Sequence, residues 1–194
     1  MQKLLCYDYH TFNRIMEENH WSDNSFPDNV AVISICSQNE DDNIHWFDSS
    51  KHPESVLNLD FDDVSPQQWW SNFKKDYYDN EDYYNSSAEF FKEGNMEEAS
   101  KPFNYSYEDK LGDVVLLHSL DYSDAKKAVS FIDQNKDCDF YIHCAAGVSR
   151  SQAFVRYILD VFPDVEWDLN ETNPCICPNI HVLRMLKRVK YLNL

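Results

Sequence analysis

A continuously apolar run, NVAVISIC (29–36), constrains the fold of this chain more than any other stretch. Most of its residues are β-branched, and an apolar run without alternation is typical of a strand that is covered on both faces. A second run, DFYIH (139–143), shows the same buried-strand pattern. Strands of this kind occur in sheets that carry helices on both sides, so the sequence predicts a layered α/β domain.

Two amphipathic segments flank the second of these strands. SDAKKAVSFIDQNK (123–136) places Phe131 and Ile132 on one apolar helical face, and Ser123 is its predicted N-cap. SRSQAFVRYILDVF (149–162) has a similar apolar side. The alternation of strands and helices predicts a central, mostly parallel sheet flanked by helices. The remaining predicted elements are strands over 3–9, 43–47, 55–61 and 113–120, a helix over 12–18 with Thr11 as N-cap, and a helix over 178–192.

The length of 194 residues fits a single domain over 1–194 with one insertion. Over about 65–112 the chain becomes rich in Asp, Glu, Tyr and Asn, and Pro66 occupies a position typical of the first residue of a helix. This segment is compatible with an ordered insertion or with a mobile lid. Its tyrosines fit a phosphorylation or partner site, but a solvated acidic excursion is the simpler interpretation.

The formal net charge of −17 restricts the partners of the chain. Such an excess of negative charge repels nucleic acid and anionic membranes. No apolar run reaches the roughly 18 residues of a membrane-spanning helix, and the stretch MQKLLCYDYHTF is too polar for a signal peptide. We therefore expect a cytoplasmic protein with neither nucleic acid nor membrane among its partners, and we expect it to be a monomer.

The cysteines do not indicate a disulfide framework. In a cytosolic chain of this size they are typically reduced thiols, one of which can be catalytic. Cys175 and Cys177 lack the spacing of a zinc knuckle, even with His181 nearby, and a polar loop with two thiols is the simpler interpretation. We expect neither a metal nor another cofactor. The six cysteines are Cys6, Cys36, Cys138, Cys144, Cys175 and Cys177.

The stretch HCAAGVSRS (143–151) links the predicted strand over 139–143 to the predicted helix over 149–162. Residues of these types, with Gly147 among them, suit a turn whose backbone N–H groups point toward one centre. Together with the N-terminus of a helix, such groups form an anion site. The stretch is not a Walker A loop, because no Lys follows the glycine, and it does not match Gly-x-Ser-x-Gly.

Cys144 and Arg150 give this loop its chemistry. A thiol at the floor of the loop would be near oriented N–H dipoles, a positive helix end and a guanidinium, all of which favour the thiolate. The Arg150 guanidinium can hold two oxygens of a bound oxyanion in a planar fork. An anionic nucleophile below an oxyanion held by an arginine predicts phosphoryl transfer through a phosphocysteine.

The pattern His143-Cys144-(five residues)-Arg150-Ser151 resembles the signature of the cysteine-dependent protein tyrosine phosphatases. The form HCAAGVSRS is most similar to the dual-specificity branch and its small bacterial and phage-type relatives. The resemblance implies the fold of that family and the hydrolysis of phosphate monoesters without a metal. The substrate it implies is a protein carrying phosphotyrosine, with or without phosphoserine and phosphothreonine.

The resemblance also assigns a role to each residue of the stretch. Cys144 is the nucleophile, and Arg150 binds phosphate and stabilises the transition state. Ser151 supports the thiolate as a leaving group, while His143 orients the loop and tunes Cys144 without acting as a general base. The backbone N–H groups that complete the phosphate cradle with Arg150 belong to Ala145, Ala146, Gly147, Val148 and Ser149.

The same mechanism needs a general acid, which protonates the leaving oxygen and later activates water. The family often places an Asp about 30 residues before the cysteine, but here that count falls inside the strand-like run over 113–120. The better match is LNLDFDDVSP, in which two aspartates follow a predicted strand. Asp63 is the first choice, Asp62 the second and Asp121 the third.

Two further alternatives stay open. The first is a phosphotyrosine-binding pseudophosphatase, which captures phosphate without turnover because no acid is properly placed. The second concerns Cys36, since some lipid-phosphatase relatives carry a thiol at a similar place that traps the oxidised nucleophile. A disulfide between Cys36 and Cys144 is therefore a hypothesis, and a buried structural thiol is the alternative.

Overall fold

A computed structural model of the chain describes residues 3–37, 44–64, 104–108, 111–167 and 177–192. Most of the predicted insertion, including the predicted helix at Pro66, lies outside these residues, and so does Cys175. The strands are β1 (Lys3–Asp8), β2 (Val30–Cys36), β3 (Val56–Asp60), β4 (Asn104–Glu108), β5 (Val114–His118), β6 (Asp139–Cys144) and β7 (Glu166–Trp167). The helices are α1 (Tyr9–Glu18), α2 (Tyr122–Gln134), α3 (Arg150–Val161) and α4 (Ile180–Leu192).

The central sheet has five strands in the order β3-β2-β6-β1-β7. All four strand pairings in this sheet are parallel. All seven residues of β2 are buried, as its continuous apolar run predicts. The predicted α/β class with a mostly parallel central sheet is therefore confirmed.

Both faces of the sheet are covered by apolar side chains. On one face, Ile33 and Ile142 belong to a core that includes residues of α2, α3 and α4. On the other face, Val30 and Val32 pack in a second core with Phe12 of α1. Strand side chains alternate between the faces, so β1, β2, β3 and β6 each contribute to both cores.

Four local predictions are corrected by the structure. Residues 44–47, within the strand predicted over 43–47, form no strand. The strand predicted over 113–120 exists as β5, but it pairs antiparallel with β4 in a separate two-stranded sheet. The helices α1 and α2 begin earlier than predicted, because Asp8 and Asp121 cap them instead of Thr11 and Ser123. Each of these carboxylates accepts a backbone N–H three residues further on. None of the helices in the described ranges is long and apolar enough to cross a membrane.

Candidate active site

The stretch 144–150, which we call the signature loop, begins at the carboxyl end of β6 and ends at the first residue of α3. Because β6 lies between β2 and β1 in the sheet, the loop lies near the middle of the carboxyl edge. In open parallel sheets this edge is where ligands bind. The predicted strand–loop–helix context of the stretch is therefore confirmed.

Gly147 is required by the close packing of the signature loop against β1. Its φ is +67°, in the left-handed region that side chains disfavour. A Cβ at this position would lie 2.6 Å from the carbonyl carbon of Tyr7, closer than real contacts allow. Only glycine therefore permits both the turn and the approach to β1.

The carbonyl groups of the signature loop indicate where its N–H groups point. Four of them accept hydrogen bonds from outside the loop. In a trans peptide the N–H of the next residue points opposite to the carbonyl. The amides of Ala146, Val148, Ser149 and Arg150 therefore point away from those partners. The four bonds run from Tyr9 N to Ala145 O, from Gln152 Nε2 to Gly147 O, from Cys177 N to Val148 O and from Asn179 N to Ser149 O.

Cys144 and Ser151 are in direct contact at the floor of the loop. The distance from Cys144 Sγ to Ser151 Oγ is 3.1 Å, and both residues are buried. Ser151 is the second residue of α3, so the helix orients its hydroxyl toward the last residue of β6. This is the contact that support of a thiolate leaving group requires.

Arg150 connects the signature loop to the segment that follows β3. Its side chain is buried, and its Nη1 atom donates a hydrogen bond of 3.0 Å to the carbonyl oxygen of Phe61. Phe61 directly precedes the two candidate aspartates. The guanidinium therefore holds the predicted acid segment beside the loop, although the two are far apart in sequence.

Of the two adjacent aspartates, Asp63 is the one at the signature loop. It is exposed, and its Oδ1 accepts hydrogen bonds of 2.8 Å from Ser149 Oγ and from Asn179 Nδ2. Within the described residues both of these bonds reach Oδ1. The aspartate that the sequence analysis ranks first therefore lies beside Ser149 of the signature loop.

Asp62, the second choice, has a different environment. It is buried, its Oδ1 accepts a hydrogen bond from Ser37 Oγ, and its Oδ2 accepts one of 2.7 Å from His118 N. These bonds fix the carboxylate between β2 and β5, where it is structural. Asp121, the third choice, caps α2 by accepting a hydrogen bond from Asp124 N, and burial raises its pKa.

Asn179 is a site residue that the sequence analysis missed. It is fully buried, its Nδ2 donates to Asp63 Oδ1 and to Val64 O, and its Oδ1 accepts from Val182 N at 3.1 Å. One side chain therefore caps α4 and orients the candidate acid. The only sequence signal was an Asn after a Pro at the start of a predicted helix, which is typical of an N-cap.

His143 is fully buried beneath the signature loop. Burial lowers its pKa to about 3, and the neighbouring His45 and Arg150 charges add to this shift. The ring stacks on Phe12, with 4.1 Å between the ring centroids. It is therefore a neutral, fixed imidazole at neutral pH, which agrees with an orienting role.

The hypothesis of a disulfide between Cys36 and Cys144 is wrong for this fold. Cys36 lies on the same face of β2 as Ser34, since both side chains contact His45. Cys144 belongs to the core on the opposite face. The sheet therefore separates the two sulfur atoms. Cys6 is fully buried in the same core as Cys144, and burial raises the pKa of its thiol to about 12.

No protein-family model and no curated protein matches the chain. Within the described ranges, no group of three or more His, Cys, Asp or Glu side chains could hold a metal ion. The functional conclusion therefore depends on the geometry of the signature loop and its surroundings.

Proposed function

We propose that this chain is a cysteine-dependent protein tyrosine phosphatase that hydrolyses phosphate monoesters through a phosphocysteine. The observation that carries the proposal is the contact of Cys144 with Ser151 below a loop that also holds Arg150. The exposed carboxylate of Asp63 beside the same loop supplies the remaining group. The parallel sheet flanked by helices is compatible with the fold of that family.

In the first step the Cys144 thiolate attacks phosphorus, forming the S–P bond while the P–O bond to the substrate breaks. Asp63, in its acid form, gives its proton to the departing oxygen. Arg150 and the backbone amides of the signature loop hold the phosphoryl oxygens, and they stabilise the charge on these oxygens in the transition state. Phosphocysteine and a neutral alcohol or phenol result.

In the second step water attacks the phosphocysteine, and the Asp63 carboxylate takes a proton from that water. The S–P bond breaks, and the sulfur leaves as a thiolate. Ser151 lies 3.1 Å from the sulfur, so its hydroxyl can donate to the thiolate as charge develops there. Inorganic phosphate is released and Asp63 is again an acid.

The proposed substrate is a protein that carries phosphotyrosine, with or without phosphoserine and phosphothreonine. Residues 145–149 contain no lysine, unlike loops that hold several phosphates. The net charge of −17 disfavours RNA and anionic lipid as substrates. A phosphorylated protein is thus the partner best supported by both the loop and the charge.

The test is hydrolysis of p-nitrophenyl phosphate and of a phosphotyrosine peptide by four proteins. Wild type should turn over both, and Cys144→Ser neither. Asp63→Asn keeps an oxygen for Ser149 but has no proton to give, so phosphotyrosine turnover should fall about 100-fold or more. The loss on p-nitrophenyl phosphate should be smaller, because its leaving group needs little protonation. Asp28→Asn, at an exposed aspartate just before the amino end of β2, is the matched control.

Equal losses on the two substrates in Asp63→Asn would remove Asp63 as the acid. A wild-type protein that binds vanadate but hydrolyses neither substrate would be the pseudophosphatase. A wild-type protein that neither binds vanadate nor turns over either substrate would refute the proposed function altogether.

A further inference from the structure

The buried His143 imidazole is the inner end of a chain of hydrogen bonds that reaches the protein surface. β2 and β6 pair so that Ser34 lies directly beside His143. His143 Nε2 is 2.7 Å from Ser34 Oγ. Both side chains are almost fully buried, so this contact is shielded from water.

The chain continues from Ser34 to His45. His45 Nδ1 is 2.7 Å from the same Ser34 Oγ, and His45 Nε2 is 3.2 Å from Asp60 Oδ1. Asp60 is the last residue of β3, and its side chain is 52% exposed, whereas that of His45 is 19% exposed. A solvated carboxylate is thereby linked through two side chains to the residue that precedes Cys144.

Asp60 determines the direction of every bond in this chain. An ionised carboxylate only accepts, so His45 Nε2 carries the hydrogen. Burial lowers the pKa of His45 and of His143, so both rings are neutral at neutral pH. A neutral His45 then has an acceptor at Nδ1, where Ser34 donates its hydroxyl hydrogen, and Ser34 Oγ accepts from His143 Nε2.

We propose that Ser34 and His45 are positioning residues that hold His143 in its Nε2–H tautomer and in one orientation, with Asp60 as the anchor. This inference rests on the proposed function, because these hydrogen bonds affect catalysis only if the adjacent Cys144 is the nucleophile. The residue before Cys144 is fixed from the side of β2, so the carboxyl end of β6 is held in place when phosphate binds. Cys36 Sγ lies 3.4 Å from the same His45 nitrogen.

Nitrogen-15 NMR of the histidine rings tests the tautomer directly. We expect the wild-type spectrum to show His143 and His45 as neutral rings protonated at Nε2. Ser34→Ala removes the acceptor for His143, so the nitrogen-15 chemical shifts of the His143 ring should change. Ser34→Thr retains a hydroxyl, so the His143 shifts should stay as in wild type. A merely structural role for Ser34 would leave the tautomer unaltered. His143 protonated at Nδ1 in the wild type, or an unchanged pattern in Ser34→Ala, would overturn the proposal.

Kinetics with a matched pair of histidines provides the second measurement. His45 and His52 have nearly equal side-chain exposures of 19% and 17%, and each has an aspartate near its Nε2. His45→Gln loses the Nδ1 acceptor for Ser34, and we expect kcat/KM on p-nitrophenyl phosphate to fall about tenfold. His45→Asn, whose amide lies near the Nδ1 position, should recover most of that loss. His52→Gln should match wild type.

The two proposals fail in distinguishable ways. A wild-type protein without turnover or vanadate binding would refute the phosphatase, and the tautomer could still be measured on that protein. Equal kcat/KM losses in His45→Gln and His52→Gln would instead refute the positioning role while leaving the phosphatase intact. Because both histidines are partly exposed, these variants remain informative even if Ser34→Ala fails to fold.

Discussion

Two substitutions of Asn179 distinguish its contribution to the stability of the protein from its contribution to the activity of the candidate site. The side chain performs two tasks, since it caps α4 at Val182 N and donates to Asp63 Oδ1. Asn179→Ala removes both contacts. Asn179→Asp retains an oxygen for the cap but replaces the donor to Asp63 with a second carboxylate. The two variants therefore share a catalytic defect and differ in their effect on stability.

The size of the stability loss follows from these contacts. Removing an N-cap costs about 1 kcal/mol, and losing the buried amide bonds costs roughly 0.5–1.5 kcal/mol more. Asn179→Ala should thus lower the free energy of unfolding by about 2 kcal/mol, which lowers Tm by roughly 4–8 °C in a chain of this size. Asn179→Asp should lower Tm less, because Asp caps a helix about as well as Asn.

The catalytic effect is measured as kcat/KM on a phosphotyrosine peptide. Both variants remove the Asn179 Nδ2 donor that orients Asp63 Oδ1, so kcat/KM should fall by roughly 10- to 100-fold in both. Unchanged Tm and unchanged kcat/KM in both variants would refute the role assigned to Asn179.

Two other predictions concern the loop and the response to pH. Gly147→Ala should abolish vanadate binding and turnover, because its Cβ would lie 2.6 Å from the carbonyl carbon of Tyr7; vanadate titration that matches wild type would contradict this. Burial lowers the pKa of His181 from 6.5 to about 4, so in that window the unfolded chain binds a proton that the folded chain does not. The urea concentration at the midpoint of unfolding should therefore decrease as the pH is lowered from 6.5 to 4. His181→Gln should make this dependence on pH weaker. The same dependence in His181→Gln and wild type would show that His181 does not contribute.

The central sheet and the signature loop were predictable because their signals are local. Seven consecutive buried residues in β2 require cover on both faces, and no distant contact is needed to recognise that pattern. The strand, loop and helix that carry Cys144 and Arg150 are contiguous, so residue types and spacing alone predicted how they are arranged. The helix caps were less predictable, because Asp8 and Asp121 compete with nearby Thr and Ser for the same role.

The partners of the signature loop come from distant parts of the chain, and only the tertiary structure determined them. Asp62 and Asp63 are neighbours with the same side chain, yet one is held by Ser37 and His118 while the other meets Ser149. Asn179 meets Asp63 across 116 residues. Likewise, alternation along β2 separates Cys36 from Cys144, which adjacency of their strands alone would not reveal.

The sequence by itself therefore determined the α/β class and the strand–loop–helix arrangement that carries Cys144 and Arg150, the proposed nucleophile and the proposed phosphate ligand. The tertiary structure decided which aspartate faces the loop, which asparagine orients it, and how His143 is linked to Asp60. The physical reason is that the geometry of a loop between a strand and a helix is determined by residues that are adjacent in sequence. A carboxylate acquires its environment from strand order and register, which bring together residues from separate segments of the chain.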